Sequence, residues 1–313
     1  MPQHRPADRA IRAFLAERFP QPLPHIETVT DGVSTHVYRL RSGDDVSYLR
    51  LLPEIGARIS PEAEAHRLMR ARGARVPDIR FAEDFNPLLG RSVMITDAIP
   101  GVPLTAQTLP PDTLRALFFA AGQDLARINS IDVAGFGWIQ RYGSGQAGLH
   151  GEHPTERAFV ADIQHEVLPL LDRLGLAADE MQLVRDLLQR PLGESSANGW
   201  LAHGDFDGTH IYQHEGKYSG IIDFGEIRGA NPWYDLAHFR LHDGEQMAPV
   251  FPWLLEGYAS VTSLPDDLGE RLRTWSLLIG LRALARSMAT GDTAAEHTRR
   301  HLRTAIQRDL ATL

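Results

Sequence analysis

The sequence contains no cysteine among its 313 residues. Disulfides, thiolate catalysis and cysteine-based zinc sites are therefore excluded. Long hydrophobic runs are also absent, because no apolar stretch approaches the ~20 residues that a membrane-spanning helix needs. The segment 1–19 has charges scattered through it and lacks the apolar core of a signal peptide. We therefore expect a cytoplasmic protein that does not have a membrane as its partner.

Lysine is almost absent as well, since Lys217 is the single lysine of the chain. Acidic residues outnumber lysine and arginine by 40 to 32, which gives a formal net charge of −8. This balance argues against nucleic acid or an anionic membrane as the main partner. The hydrophobic fraction of 43% and the charged fraction of 23% are typical of a globular protein. A chain of this length can form two lobes with a sizeable core.

The stretch 200–238 organises the rest of the chain and reads WLAHGDFDGTHIYQHEGKYSGIIDFGEIRGANPWYDLAH. Short apolar runs alternate in it with polar, glycine-containing turns, which predicts a strand–loop–strand–turn–strand–loop order. Asp205 and Asp223 then stand on two loops at the ends of paired strands. Two carboxylates in such places, one near a hydroxyl acceptor and one on Mg²⁺, suit phosphoryl transfer.

These motifs resemble those of the aminoglycoside phosphotransferase family of antibiotic kinases. The family pattern is His-Gly-Asp, four residues, Asn, then Ile-Asp-Phe/Trp and Asp-Pro-x-x-Asp-Leu-Ala. The resemblance implies an α+β, bilobal protein-kinase-like fold, with an antiparallel sheet and one key helix in the N-terminal lobe and a mostly helical C-terminal lobe. It also implies that Asp205 is the catalytic base, that Asp223 binds Mg²⁺ and that Asp235 is a buried support for the loop.

His210 stands where the family usually has the asparagine of this pattern. The macrolide-kinase branch is similar in having histidine at this place. We therefore assign His210 as a second metal ligand beside Asp223. An imidazole can bind a metal, although it is a less usual Mg²⁺ ligand than a carbonyl oxygen.

The N-terminal lobe should begin with an amphipathic helix over 7–19, followed by a meander of three antiparallel strands over 26–52. Ser34 and Thr35 lie in a turn of this meander that either covers the phosphates of a nucleotide or is an ordinary structural turn. In protein-kinase-like folds the third strand carries a cation for the phosphates. This lobe has no lysine, so Arg50 is the candidate, and the hygromycin-kinase branch is similar in having arginine here. The alternative is an edge-strand arginine that faces solvent.

The pattern next predicts a helix over 61–71, with Ser60 as its N-cap and a proline at its first position. Either Glu62 or Glu64 could pair with Arg50. About 200° of helical rotation separates the two glutamates, so only one can face the site. Glu62 matches the family position better. The alternative is that both are first-turn acids favoured by the helix dipole.

Two prolines and a glycine after a strand mark the segment 96–103 as a linker. We place the lobe boundary here, with 1–98 as the nucleotide-binding lobe and 99–313 as the helical lobe that holds the catalytic loop, the metal site and the acceptor pocket. The resemblance implies that an adenine ring contacts the backbone of Thr96 and Ala98.

The C-terminal lobe is predicted to be mostly helical, with helices over 111–128, 155–174, 178–189, 234–241, 247–260, 265–288 and 293–313. The glycine-rich segment 142–153 is predicted to be an exposed loop and a candidate lid. His150 and His153 within it could bind a metal, but a solvated loop is the interpretation that we favour.

Acidic residues of the C-terminal lobe are candidates for binding a cationic amino sugar through charged hydrogen bonds, namely Asp207, Asp243, Glu245 and Asp292. Asp207 is the best placed, because it follows Asp205 by two residues on the same loop. It could instead be held by neighbouring backbone amides.

The expected activity is Mg²⁺-dependent transfer of the γ-phosphate of ATP or GTP to a hydroxyl of a small molecule, such as an aminoglycoside, hygromycin-like or macrolide antibiotic. Two alternatives stay open. One is a metabolic kinase for choline, homoserine, a sugar or a fructosamine, and the other is a non-catalytic nucleotide-binding regulator. The expected partners are the nucleoside triphosphate and the hydroxyl substrate, without nucleic acid or membrane, and the protein is expected to be a monomer or a dimer.

Overall fold

A computed structural model describes residues 7–19, 22–29, 35–143, 147–190, 195–289 and 296–312. In its N-terminal lobe, a five-stranded antiparallel sheet has the spatial order β1–β2–β3–β5–β4. The elements of this lobe are α1 (Asp8–Ala16), β1 (His25–Val29), β2 (His36–Ser42), β3 (Asp45–Leu51), α2 (Ser60–Ala71), β4 (Ile79–Asn86) and β5 (Arg91–Asp97).

One face of this sheet packs against α1. Leu49 and Leu51 of β3 are buried there with Phe14 and Leu15 of α1. Successive residues of a strand point to opposite faces, so Arg50 points to the other face, toward the cleft between the lobes. Because β3 lies between two partner strands, the alternative of a solvent-facing edge arginine is wrong.

The start of α2 differs from the prediction. The helix begins at Ser60 itself, so Ser60 is not its N-cap. Asp84 of β4 accepts hydrogen bonds from the N–H and the hydroxyl of Ser60, each 2.8 Å long. A carboxylate that is distant in sequence therefore satisfies the first turn, and a rule based on neighbouring residues could not identify it.

The C-terminal lobe is built mainly of helices. Its helices are α3 (Pro111–Ile128), α4 (Glu156–Val167), α5 (Ala178–Gln189), α6 (Tyr234–His242), α7 (Phe251–Ala259), α8 (Leu268–Ala289) and α9 (Glu296–Leu310). Its strands are β6 (Val102–Pro103), β7 (Asp132–Ala134), β8 (Phe136–Ile139), β9 (Gly151–His153), β10 (Asn198–Ala202), β11 (Ile211–His214), β12 (Lys217–Ile221) and β13 (Arg228–Ala230). Three short 3₁₀ helices occupy Leu104–Ala106, Leu168–Arg173 and Phe224–Glu226.

Two small antiparallel sheets hold the central stretch in place. One has the order β7–β10–β13–β8–β9 and the other β12–β11–β6. The strand, loop and turn order predicted for this stretch is therefore confirmed. The predicted catalytic loop, residues 203–210 with Asp205, leaves β10 and returns through β11, and the loop that carries Asp223 follows β12. Both loops are thus anchored at each end by strand pairing.

Several boundaries in this lobe differ from the prediction. The predicted loop 142–153 ends in strand β9, which pairs with β8. The predicted helix 155–174 is α4 followed by a 3₁₀ turn, and Thr155 is its N-cap. Helix α7 begins four residues later than predicted, behind Pro249. None of the helices in the described ranges is both long and apolar enough to cross a bilayer.

The two lobes and their secondary structure confirm the predicted fold class. The structure has an antiparallel sheet with helix α2 in the N-terminal lobe and a mostly helical C-terminal lobe. Strand β5 ends at Asp97, and β6 already pairs with β11 of the C-terminal lobe. The division into 1–98 and 99–313 stays a prediction.

Candidate active site

A cavity of about 880 Å³ lies between the lobes. This volume is in the range of pockets that hold drug-sized ligands and cofactors. Asp205 and Asp223 both border it, as do Arg50, Thr35 and His210. With Thr96, the structure thus brings six of the candidate residues to one open cleft. Ser34, the other residue proposed for the phosphate-covering turn, lies outside the described residues.

Asp235 anchors the catalytic loop from within the protein. Its Oδ1 accepts a hydrogen bond from the Gly204 N–H (2.9 Å), and its Oδ2 accepts one from the His203 N–H (2.8 Å) and one from the Asn129 side chain (2.8 Å). The Asp235 side chain is completely buried. A fixed carboxylate therefore holds the two backbone groups that immediately precede Asp205.

The loop also passes very close to neighbouring backbone. Gly204 has φ +88°, and a Cβ atom there would lie 2.1 Å from the carbonyl oxygen of Glu226. Only glycine fits this place, because a side chain would both clash and adopt an unfavourable φ. The glycine of His-Gly-Asp is thus explained by the close contact of this loop with the segment that follows Asp223.

Asp223 adopts a left-handed conformation, with φ +66°. A non-glycine residue rarely adopts it without support from its surroundings. The next side chain, Phe224, is completely buried between the rings of His66 (centroids 5.0 Å apart) and His203 (4.8 Å). Phe224 is thus fixed between the two rings, and the side chain of Asp223 before it is 52% exposed toward the cleft.

The hydrogen bonding of His210 decides which of its nitrogens faces the site. Its Nδ1 lies 2.8 Å from the carbonyl oxygen of Asp205. A carbonyl oxygen only accepts, so Nδ1 donates, and the neutral ring keeps a lone pair on Nε2. This Nε2 is 3.9 Å from Oδ2 of Asp223. The two atoms are an imidazole nitrogen and a carboxylate oxygen, which would hold one divalent cation between them.

Arg50 is held in the cleft by Glu62 of α2, as predicted from the sequence. The guanidinium donates to Oε1 of the buried Glu62 carboxylate, and it also lies 3.9 Å from Oδ1 of Asp223. Glu64 instead pairs with Arg67 on the protein surface. Of the two glutamates, only Glu62 faces the site.

Arg141 is a member of this cluster that the sequence analysis missed. It donates to Oε2 of Glu62 (3.2 Å) and to the carbonyl oxygen of Gly225 (2.8 Å). It therefore links α2 to the loop that carries Asp223. Arg141 follows no recognised motif, and nothing in the sequence distinguishes it from the other arginines.

The environment of Asp205 favours its ionised form. Burial raises the pKa of this carboxyl group, but the charges of His238, His210 and His203 when protonated outweigh burial and hold the pKa below its usual value. The side chain is 52% exposed. At neutral pH Asp205 is therefore a carboxylate that can accept a proton from a group in the cleft.

The linker differs from the prediction at the backbone of Ala98. The N–H of Ala98, proposed as an adenine contact, donates to the carbonyl oxygen of Val46 (3.2 Å), and Ala98 does not border the cleft. The pairing of β3 with β5 continues to this residue and turns its N–H away. Thr96 does border the cleft, as do Asp97 and Ile99, which the sequence analysis did not name.

The acidic candidates for acceptor binding have partners inside the protein. Asp207 accepts hydrogen bonds from the N–H (2.7 Å) and the hydroxyl of Thr209. A neighbouring backbone amide thus holds Asp207, as the alternative prediction had it. Asp243 caps α7 through the N–H groups of Val250 and Phe251. Asp292 lies outside the described residues.

Glu245 accepts a hydrogen bond from Nδ1 of His242 (2.7 Å). Together with Asp207 and Asp243, it borders a smaller cavity beside the catalytic loop. Of the two loop histidines considered for a metal, His150 contacts the Ala147 carbonyl and His153 lies 3.7 Å from Asp162, and neither belongs to a cluster of three or more possible metal ligands among the described residues.

Comparison with known proteins agrees with this geometry. The family model described as "Phosphotransferase enzyme family" matches residues 25–273. A search of curated proteins finds no match. Among solved structures, a thermostable mutant of aminoglycoside phosphotransferase APH(4)-Ia, in a ternary complex with AMP-PNP and hygromycin B, is similar with a TM-score of 0.69 at 18% identity, over 95% of this chain and 98% of that one.

Two further structures share the fold. The macrolide 2'-phosphotransferase MphH from Brachybacterium faecium has a TM-score of 0.56 at 16% identity, over 94% of this chain and 97% of that one. A putative fructosamine-3-kinase from Haemophilus somnus 129PT has a TM-score of 0.60 at 14% identity, over 95% and 97%. The family predicted from the sequence motifs is confirmed: the chain belongs to the phosphotransferase enzyme family and is a small-molecule phosphotransferase.

Proposed function

We propose that this phosphotransferase uses Mg²⁺ and moves the γ-phosphoryl group of ATP or GTP to a hydroxyl of an aminoglycoside, hygromycin-like or macrolide antibiotic. The observation that carries the proposal is that Asp205 and Asp223, two half-exposed carboxylates on separate loops, border the same cleft. One carboxylate is then available for the acceptor hydroxyl and the other for the metal. The APH(4)-Ia structure, which holds a nucleotide analogue and hygromycin B, supports this choice of substrates by analogy of fold.

Five residues in or next to the cleft have roles in this proposal. Arg50, held by Glu62, binds the phosphates of the nucleotide. Asp205 orients the acceptor hydroxyl and takes its proton, and His210 fixes the loop through the Asp205 carbonyl. Asp223 and Nε2 of His210 would hold the metal. When bound, Mg²⁺ neutralises charge on the transferring phosphate.

Nucleotide binding follows from the lining of the cleft. Thr35 and Arg50 are on the phosphate side, since both border the cleft near the N-terminal sheet. Thr96, Asp97 and Ile99 border it at the linker, where a base would contact the backbone. Ala98 has no part in the proposal, because its N–H is already bonded to Val46.

The acceptor class has a second candidate, which one observation favours. Asp207, Asp243 and Glu245 are all bonded inside the protein, so none is an unengaged anion reserved for an amino group. This arrangement also suits an acceptor with little positive charge. Among the metabolic candidates a neutral sugar meets this description. Choline, homoserine and a fructosamine, each of which carries a cationic nitrogen, are tested beside it and the antibiotics.

The test is an acceptor screen with ATP or GTP and Mg²⁺, with release of ADP or GDP as the readout. Asp205→Asn should lower kcat by about 10²–10⁴-fold, the usual contribution of a general base, and change the nucleotide Kd little. Asp223→Asn should weaken binding of the metal–nucleotide complex. Asp172→Asn is the matched control, because Asp172 is on the surface with its side chain 80% exposed.

Two outcomes would contradict the proposal. Wild-type turnover by Asp205→Asn would remove Asp205 from the role of base. Tight nucleotide binding without transfer to any acceptor of the panel would instead favour a non-catalytic regulator.

A further inference from the structure

His238 follows directly after the Asp-Leu-Ala motif, on the first turns of α6, and its ring reaches the catalytic loop. Its Nδ1 lies 3.0 Å from the carbonyl oxygen of Phe206, and its Nε2 lies 3.4 Å from Oδ1 of Asp205. The residue is buried, with 6% of its surface exposed. A buried imidazole thus stands directly behind the half-exposed carboxylate proposed as the base.

The hydrogen bond to Phe206 decides where His238 carries its hydrogen. Because a carbonyl oxygen only accepts, Nδ1 is the donor, and the neutral ring has a lone pair on Nε2. That lone pair faces the Asp205 carboxylate, which is also an acceptor. Two acceptors therefore face each other across 3.4 Å, and the contact becomes favourable when a proton arrives between them.

We propose that His238 is a positioning residue that receives, through Asp205, the proton that leaves the acceptor hydroxyl; the inference rests on the proposed function of Asp205. In this step the acceptor O–H bond breaks, and its proton passes to the Asp205 carboxyl group and from Oδ1 to Nε2 of His238. The acceptor oxygen forms its bond to the γ-phosphorus while the bond from that phosphorus to the leaving oxygen breaks, and the electron pair leaves with the nucleoside diphosphate. The proton returns to solvent through the half-exposed Asp205.

The surroundings of His238 keep Nε2 available for this proton. Burial lowers the pKa of His238 and the neighbouring His242 lowers it further, whereas Asp205 raises it. The titratable groups that face the ring are Asp205 and Asp207 on the catalytic loop and His242 on the next turn of α6, with Glu245 and His301 beyond it. The ring is thus neutral at rest and gains its stabilising partner only when Asp205 has accepted a proton.

Two isosteric variants separate this role from simpler ones. The amide nitrogen of His238→Asn occupies the place of Nδ1, so it keeps the bond to Phe206 and leaves Asp205 without its neighbour. The amide nitrogen of His238→Gln occupies the place of Nε2, so it can donate to Asp205 but cannot take up a proton. If His238 only braces the loop, His238→Asn should keep wild-type activity. If His238 only donates to Asp205, His238→Gln should keep it.

We expect neither variant to keep wild-type activity. At pH 7.5 both should show kcat at least about tenfold below wild type, while the acceptor KM and the nucleotide Kd stay within about twofold. Wild-type kcat should fall on the acid side as solvent protons occupy Nε2 of His238. Both variants should lose this acidic limb or have it displaced. His165→Gln, which removes an exposed histidine of α4, is the control and should match wild type.

Wild-type kcat together with a wild-type acidic limb in either variant overturns the inference. Nitrogen-15 NMR of the histidines in the wild-type protein tests it without any substitution at 238. The Nδ1–H tautomer of His238 is expected, and the Nε2–H tautomer overturns the inference because no lone pair would then face Asp205. This measurement decides the question if the variants do not fold.

The Asp205→Asn assay distinguishes the two levels of the proposal. An active Asp205→Asn refutes the role of Asp205 as the base and the inference with it. An inactive Asp205→Asn beside fully active His238 variants refutes only the proton transfer to His238.

Discussion

Replacing Asp235 with asparagine changes one atom and tests whether this buried carboxylate holds the catalytic loop. The three donors around it are the N–H groups of His203 and Gly204 and the side chain of Asn129. An asparagine has one acceptor oxygen where the aspartate has two. In either orientation its amide nitrogen therefore points at a donor.

The least costly orientation has the new amide facing the Gly204 N–H and keeps the oxygen for the other two donors. One hydrogen bond to a charged acceptor is lost, worth about 1.5–3 kcal/mol, and a buried N–H is left without a partner. The two remaining bonds lose their charge assistance. We expect Asp235→Asn to lower the free energy of unfolding by about 2–4 kcal/mol.

Activity should fall as well, because the two backbone groups released lie directly before Asp205. A displacement of about 1 Å of a catalytic group can cost about 10²-fold in rate, and we expect kcat to fall by at least that factor. Urea denaturation followed by tryptophan fluorescence measures the stability, and the release of nucleoside diphosphate measures kcat. The surface variant Asp172→Asn should change neither quantity measurably.

A result within about 0.5 kcal/mol of the wild-type stability would refute this reasoning, because such a change is typical of a surface substitution. Normal kcat in a destabilised variant would refute only the link between the anchor and the position of Asp205. The two measurements thus separate the anchor as a stabilising contact from the anchor as a catalytic device.

Two further predictions concern the N-terminal lobe. Glu62→Gln should destabilise the protein by about 3–5 kcal/mol and weaken nucleotide binding at least tenfold, because Arg50 and Arg141 lose a buried carboxylate. The surface variant Glu64→Gln should cost less than about 1 kcal/mol of stability. Equal effects in the two variants would contradict the assignment of Glu62. Burial holds the pKa of His66 at about 4, against an ordinary 6.5, so the unfolded chain binds more protons between these values. The stability that neutral His66 contributes is therefore fully present above pH 6.5 and is lost toward pH 4. Denaturation across this range should show that wild type loses up to about 3 kcal/mol more than His66→Gln. Parallel pH profiles of the two proteins would refute this prediction.

The catalytic loops were predictable because their signal is local. His-Gly-Asp and Asp-Phe-Gly each follow an apolar strand, and strand ends are where a chain can present side chains to a cleft. The identity of the partner of Arg50 was also within reach, since helical geometry allows only one of Glu62 and Glu64 to face the site and the family resemblance favours Glu62. In these cases the signal lies in neighbouring residues and in the family pattern.

The errors have the opposite character. Ser60 was assigned as an N-cap because the sequence offers no sign of Asp84, which approaches from another strand. Ala98 was assigned to the nucleotide on the family resemblance alone, which does not show that its N–H pairs with Val46. The short strands β6 to β9 and β13 were missed because each is only two to four residues long, and β7 and β13 pair with β10, which is distant from both in sequence.

The sequence by itself determined the family, the order of strands and loops around the two aspartates, and the lack of any cation but arginine for the phosphates in the N-terminal lobe. These properties depend on residue type and on spacing of a few residues, which the chain carries whatever its folded shape. Only the tertiary structure decided that Arg141 joins Glu62 and that the buried ring of His238 stands behind Asp205. Such contacts join segments far apart in the chain. Packing brings these segments together, and no pattern of neighbouring residues indicates the contact.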